Sequence, residues 1–94
     1  MQILTIDDFS GKTGTVYDVL VNGGAFPMTL AASQPLPDSG REGGCFRLEF
    51  RGPMDPVLPQ AIYPFRGQGG EPVEIFIVPI ARDPDGTRYE AIFF

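Results

Sequence analysis

The sequence predicts an all-β domain, a small antiparallel barrel or sandwich of six to seven strands. The first observation is that apolar runs are short and separated by 12 glycines and 10 prolines with no repeat period. The second is a dense series of β-branched and aromatic residues on both sides of a turn at Pro84-Gly86. The third is a hairpin signal at Asn22-Gly23. A chain of 94 residues suffices for one domain, residues 1–94.

The C-terminal hairpin, residues 73–94, is the densest apolar stretch. Apolar side chains fall on both faces of its first strand, so we expect that strand to be buried on both sides. A three-residue loop would pair Ala81 with Tyr89, and a four-residue loop would pair Ile80 with Tyr89. We favour the shorter loop, because Asp83 precedes a proline and is biased away from the helical conformation.

The first hairpin is expected to join Thr15–Val21 to residues 26–33. A turn centred on Asn22-Gly23 pairs Val19 with Phe26, and a turn one residue later pairs Val21 with Phe26. Both registers place the same four residues on the inward face: Tyr17, Val19, Phe26 and Met28.

The remaining segments are shorter. Residues 45–52 alternate between apolar and polar side chains, which predicts a half-exposed strand, and residues 60–65 form a strand in which Pro64 favours an edge or a bulge. Residues 2–6 are extended, with a helical turn near Asp7 as an option. The loop 34–44 is the most mobile part by composition.

Charge excludes several classes of partner. The net charge is −5, with 7 basic residues scattered among 12 acidic ones, which disfavours nucleic acid and anionic membranes. No stretch is long enough to span a bilayer, and the N-terminus lacks the pattern of a secretory signal. A single cysteine excludes an internal disulfide, so we expect a cytoplasmic protein, with incorporation into an exported assembly as the alternative.

Catalytic chemistry is poorly represented. Histidine is absent, and Cys45 has no visible group that would activate it, so a structural thiol is favoured. Glu74 and Glu90 are a carboxylate pair that the hairpin could bring together, and solvated strand charges are the simpler interpretation. We therefore predict no catalytic residue and no enzyme.

Three segments resemble ligand-binding motifs only in part. Asp83-Pro84-Asp85-Gly86 is similar to the start of a calcium loop, but later ligands are missing and turn chemistry explains it. Asp7-Asp8 suits a solvated loop better than a cation site. Gly67-Gln68-Gly69-Gly70 lacks the Lys-Ser/Thr of a phosphate-binding loop. No metal and no cofactor are predicted.

A contact surface is the remaining candidate site. Arg47, Glu49 and Arg51 share one strand face, which is either a polar outer surface or a partner contact with arginine as its anchor. The apolar C-terminus, ending at Phe94, is a natural place for strand addition or subunit contact.

Several motifs resemble a small bacterial domain family of unknown function. They are Phe50-Arg51-Gly52-Pro53, Leu58-Pro59-Gln60, Tyr63, Phe76-Ile77-Val78-Pro79-Ile80, Asp83 with Asp85-Gly86, and Tyr89-Glu90-Ala91-Ile92-Phe93. The resemblance is good over the second half of the chain and loose over the first. It implies an association with phage-tail-collar-like proteins, and carries no assigned activity or functional residues.

The leading hypothesis is a non-enzymatic structural or protein-interaction module. It would bind a protein partner or self-associate as a homo-oligomer, as an accessory to a tail-like or surface assembly. The alternative is a small barrel that binds a small apolar or sugar-like ligand in its mouth.

Overall fold

A computed structural model of the chain describes residues 6–9, 11–37, 44–55, 57–67 and 71–93. In these residues the chain forms a closed antiparallel barrel with strand order β1-β2-β3-β6-β5-β4. The strands are β1 (Val16–Val21), β2 (Gly24–Pro35), β3 (Phe46–Gly52), β4 (Ala61–Arg66), β5 (Val73–Asp83) and β6 (Gly86–Phe93), preceded by a 3-10 turn at Ile6–Asp8. The predicted fold class is confirmed, and the barrel is the form adopted.

The barrel interior is filled by alternate side chains from every strand. On β3 the alternation is the predicted one: Phe46, Leu48 and Phe50 are fully buried, and the residues between them face outward. Phe50 lies 4.8 Å from Phe65 between ring centroids, so the aromatic residues pack on one another across the barrel. The buried aromatic residues in the described ranges are Phe9, Tyr17, Phe46, Phe50, Phe65 and Tyr89.

The first hairpin has the register centred on Asn22-Gly23. Val19 pairs with Phe26, and both turn residues have positive φ, 51° for Asn22 and 80° for Gly23. Positive φ at both central positions defines the turn type whose twist matches the strands, and an Asn-Gly pair adopts it at little cost.

The register favoured for the C-terminal hairpin was wrong. Asp83 pairs with Gly86, so the loop has two residues, and a bulge at Ile80 then places Tyr89 opposite Pro79. The Asp83 carboxylate accepts a hydrogen bond from the Asp85 amide, 3.0 Å, which closes a tighter turn than the sequence had indicated.

Gly86 is required where this turn meets β3. Its φ is +132°, and a Cβ at this position would lie 2.1 Å from the carbonyl oxygen of Gly52. No other residue fits, because both the backbone conformation and the space exclude a side chain.

The expectation that the first strand of this hairpin is buried on both sides was also wrong. Ile75 and Ile77 are buried inside the barrel, whereas Phe76 and Ile80 are exposed on its outer surface. The physical reason is closure: a single closed sheet has one interior, and the described part of the chain supplies no second layer to cover the outside.

The barrel closes through a short seam between β1 and β4. Two residue pairs join these strands, Asp18 with Arg66 and Val19 with Phe65. The next pair would match Leu20 with Pro64, and proline has no amide hydrogen to donate. Pro64 therefore lies at the end of a ladder, in a strand that pairs on its other side with β5.

Connecting segments close both ends of the barrel. At one end Phe9 packs against Phe46 and Phe93, with ring centroids 6.0 and 6.5 Å away. At the other end the loop after β3 places Leu58 against the core, and its amide donates a 2.9 Å hydrogen bond to the Tyr89 hydroxyl. Predicted features in residues 1–5 and 38–43, which include the extended N-terminal segment and most of the loop 34–44, lie outside the described residues.

The Tyr89 contact gives a prediction about stability and pH. Burial raises the pKa of Tyr89, and the Leu58 amide offsets part of that rise. The folded-state pKa then lies above the unfolded value of 10.0, so stability falls as pH rises above about 10. We expect Tyr89→Phe to cost about 1–2 kcal/mol at pH 7, because the buried Leu58 amide loses its acceptor, and to lose less stability than the native chain at higher pH.

Urea unfolding between pH 7 and 11 measures both effects. Tyr63→Phe is the matched control, because the Tyr63 hydroxyl donates to the Pro59 carbonyl in an exposed position that water can replace. Equal costs for the two variants at pH 7 would contradict the role assigned to Tyr89.

Candidate functional site

The outer surface of β4, β5 and β6 carries a row of exposed apolar side chains. Ile62 on β4 is the register partner of Phe76 on β5, and Phe76 lines one groove of about 170 Å³ with Val78, Glu90 and Ile92. Ile92 in turn pairs with Arg47 on β3. We call Ile62, Phe76 and Ile92 the outer apolar row. It crosses three strands and ends at an arginine.

The side chains of this row are unusually exposed for large apolar residues. Ile62 is 60% exposed, Phe76 48% and Ile92 38%, and Ile80 nearby on β5 is 43% exposed. Side chains of this size present about 150–200 Å² when free, so together they expose roughly 300–400 Å². Patches in this range are the largest on many monomeric proteins and are often functional.

Two of the predicted contact residues on β3, Arg47 and Glu49, lie beside the row. Arg47 donates hydrogen bonds to Glu90, 2.5 Å, to Glu49, 3.1 Å, and to Gln34, 3.2 Å. The hydrogen bond to Glu90 is the main reason that the pKa of Arg47 is raised, and partial burial opposes it. Arg47 is therefore held in one place by its neighbours rather than free to reach a distant partner.

Arg47 also lies beside two carboxylates that face each other in the sheet. Glu49 and Glu90 are direct register partners on β3 and β6, a placement that is unfavourable for two carboxylates. Arg47 bonds to both and so offsets their repulsion.

A second like-charge contact lies further along the same strands. Arg51 is the register partner of Arg88, and the Asp83 carboxylate lies 3.3 Å from Arg51 and 3.8 Å from Arg88. Asp85 adds a 3.5 Å ion pair to Arg51. Arg51 thus belongs to a different charge cluster from Arg47, which lies four residues, or about 13 Å, away along the strand.

The other candidate residues within the described ranges are parts of the fold. Cys45 is buried, and its carbonyl accepts a hydrogen bond from the Leu36 amide. Asp7 and Asp8 lie in the 3-10 turn. Phe94 and residues 68–70 lie outside the described residues. Within the described ranges, no three side chains of the metal-binding types come close enough to hold an ion.

The structure does not bring Glu74 and Glu90 together, which agrees with the simpler interpretation of solvated strand charges. Glu90 pairs with Val78, so Glu74 lies four residues, or about 13 Å, away along β5. Glu74 pairs instead with Pro64. The two carboxylates therefore do not form an acid–base pair.

Sequence reasoning missed the outer apolar row. Phe76 was assigned to a second buried face, because exposure and two-sided burial produce the same apolar pattern in a strand. Chain length was the signal that could have distinguished them, since 94 residues supply one small core and no further layer.

Fold and surface together define a small closed β-barrel domain with an apolar row on its outer wall. The chain belongs to the family described as Domain of unknown function (DUF6916), whose model matches residues 4–93. No curated protein and no solved structure is significantly similar to it. No helix in the described ranges has the length and apolarity needed to cross a bilayer.

The role of Arg47 gives a second prediction. We expect Arg47→Gln to cost about 1–2 kcal/mol at pH 7, because Glu49 and Glu90 then face each other without a cation. Chemical denaturation of the native chain and the variant at pH 7 measures this cost.

Arg66→Gln is the matched control, because it removes the same charge from an exposed 3.8 Å pair with Asp18 and is expected to cost under about 0.5 kcal/mol. Equal losses of stability in the two variants would count against the charge arrangement.

Proposed function

We propose that this domain is a non-enzymatic protein-interaction module that uses the outer apolar row as its binding face. The observation that carries the proposal is the exposure of Ile62, Phe76 and Ile92 as one continuous row on a closed barrel. Stable protein interfaces combine an apolar centre with a polar rim, and about 800 Å² on each partner is typical. The row provides the centre, and Arg47, Glu49 and Glu90 provide part of the rim.

The packing of the barrel favours binding on its outer surface over binding inside its open end. Phe46, Phe50, Phe65 and Tyr89 are at most 1% exposed, so the aromatic rings that would line a ligand cavity are already packed against each other. Leu58 and Phe9 cover the two ends. The barrel interior therefore favours a small-molecule ligand less than the outer surface favours a protein partner.

The sequence resemblance suggests the setting for this activity. A small barrel with a rigid wall and one apolar row suits an accessory component of a tail-like or surface assembly, where the partner is another protein of the assembly. The proposal covers both a different protein and a second copy as the partner.

Substitution in the row tests the proposal. Phe76→Thr keeps a residue that favours strands and removes the largest exposed side chain, so we expect the fold to persist and partner binding to weaken tenfold or more. Val16→Thr is the matched control, because Val16 is 49% exposed on β1, outside the row.

The measurement has two parts. Sedimentation of the native chain and both variants detects self-association, and affinity capture from the source organism, followed by titration with the purified captured protein, detects a different partner. A complex that is lost in Phe76→Thr and kept in Val16→Thr supports the proposal. A native chain that stays monomeric and captures the same proteins as Phe76→Thr overturns it.

A further inference from the structure

We infer that the outer apolar row binds a partner protein that carries positive charge around an apolar centre, rather than a second copy of this chain. This inference rests on the proposed function and specifies the chemistry of the partner. It is carried by the charges that flank the row on the outer surface of the barrel.

The row has carboxylates on both sides. Glu74 lies two residues before Phe76 on the same face of β5, and it has no ion pair with another described residue. On the opposite side lie Glu90 and its register partner Glu49. The row is therefore bordered by three carboxylates.

Arg47 is the cation that bonds to two of these carboxylates, and it offsets one of the three negative charges. Arg47, at the end of the row, bonds to Glu49 and Glu90 together, so its charge is already shared between them. The other arginines near this wall are paired elsewhere: Arg66 with Asp18, and Arg51 and Arg88 with Asp83. The border of the row keeps an excess of about two negative charges.

A second copy is a poor occupant of such a surface. In a symmetric dimer the same patch meets itself, so the carboxylate excess of one copy would face that of the other. Each chain also carries a net charge of −5, which adds to the repulsion. A partner with lysine or arginine around an apolar centre instead gains electrostatic complementarity at the rim.

Two synthetic peptides of equal length test the inference. Both carry an Ile-Phe-Ile centre, which is flanked by lysines in one and by glutamates in the other. The readout is the chemical shift of isoleucine methyl groups in the labelled native protein. We expect the lysine peptide to shift Ile62 and Ile92, to bind more tightly than the glutamate peptide, and to weaken as salt is raised.

Charge-reversal variants test whether the lysine peptide binds beside the row. Glu74→Lys should weaken binding of the lysine peptide by about 3- to 10-fold, the range expected when an exposed attraction becomes a repulsion. Asp55→Lys is the matched control with the same change in net charge. Its partner Arg82 lies six residues, or about 20 Å, along β5 from Phe76, and we expect a change below about twofold.

Each contrary result has a distinct meaning. Equal binding of both peptides at Ile62 and Ile92 overturns the charge inference and leaves the row as a binding face. Equal effects of Glu74→Lys and Asp55→Lys do the same. A native dimer that uses the row overturns the choice of partner, and binding of neither peptide overturns the inference. The proposed function is overturned separately, by the sedimentation and capture experiments.

Discussion

Closure of a single sheet into a barrel is the constraint on which the rest of the structure depends. Six strands enclose one interior, and alternate residues along each strand must point into it or away from it. Ile75 and Ile77 therefore enter the core, and Phe76 between them cannot. The outer apolar row follows directly from this geometry, because an apolar residue at an outward position has no described layer above it.

The outer wall shows how the chain tolerates charges in a tightly paired sheet. β3 and β6 place two carboxylates directly opposite each other and, two positions further, two arginines. The repulsion within each pair is offset by a side chain of opposite charge, which is Arg47 for the carboxylates and Asp83 for the arginines. This arrangement fixes the polar border of the row and leaves its carboxylates in excess.

The fold class could be predicted from local signals. Asn22-Gly23 determined the first hairpin because few residue pairs accept positive φ at both turn positions. β3 was predicted because its apolar and polar residues alternate without exception. In contrast, the register of the second hairpin depends on a two-residue turn, closed by the local hydrogen bond from the Asp85 amide to the Asp83 carboxylate, and on the bulge at Ile80, which no local signal in the sequence indicates.

The candidate site was harder to predict for a related reason. Arg47, Glu49 and Arg51 were placed on the outer face because their polarity indicates it, but the division of these residues into two charge clusters depends on which strand lies beside β3. The row of Ile62, Phe76 and Ile92 depends on pairing among three strands that are distant in sequence. Apolar composition alone does not distinguish an exposed row from a second core face.

Solvent exposure of the isoleucine methyl groups tests the central claim most directly. With methyl-labelled native protein and a soluble paramagnetic agent, the account predicts strong broadening of Ile62, Ile80 and Ile92, and protection of Ile75 and Ile77. These five side chains are chemically identical, so the comparison depends on position alone. Equal protection of all five in a monomeric sample would show that the outer wall is covered, and would contradict the account.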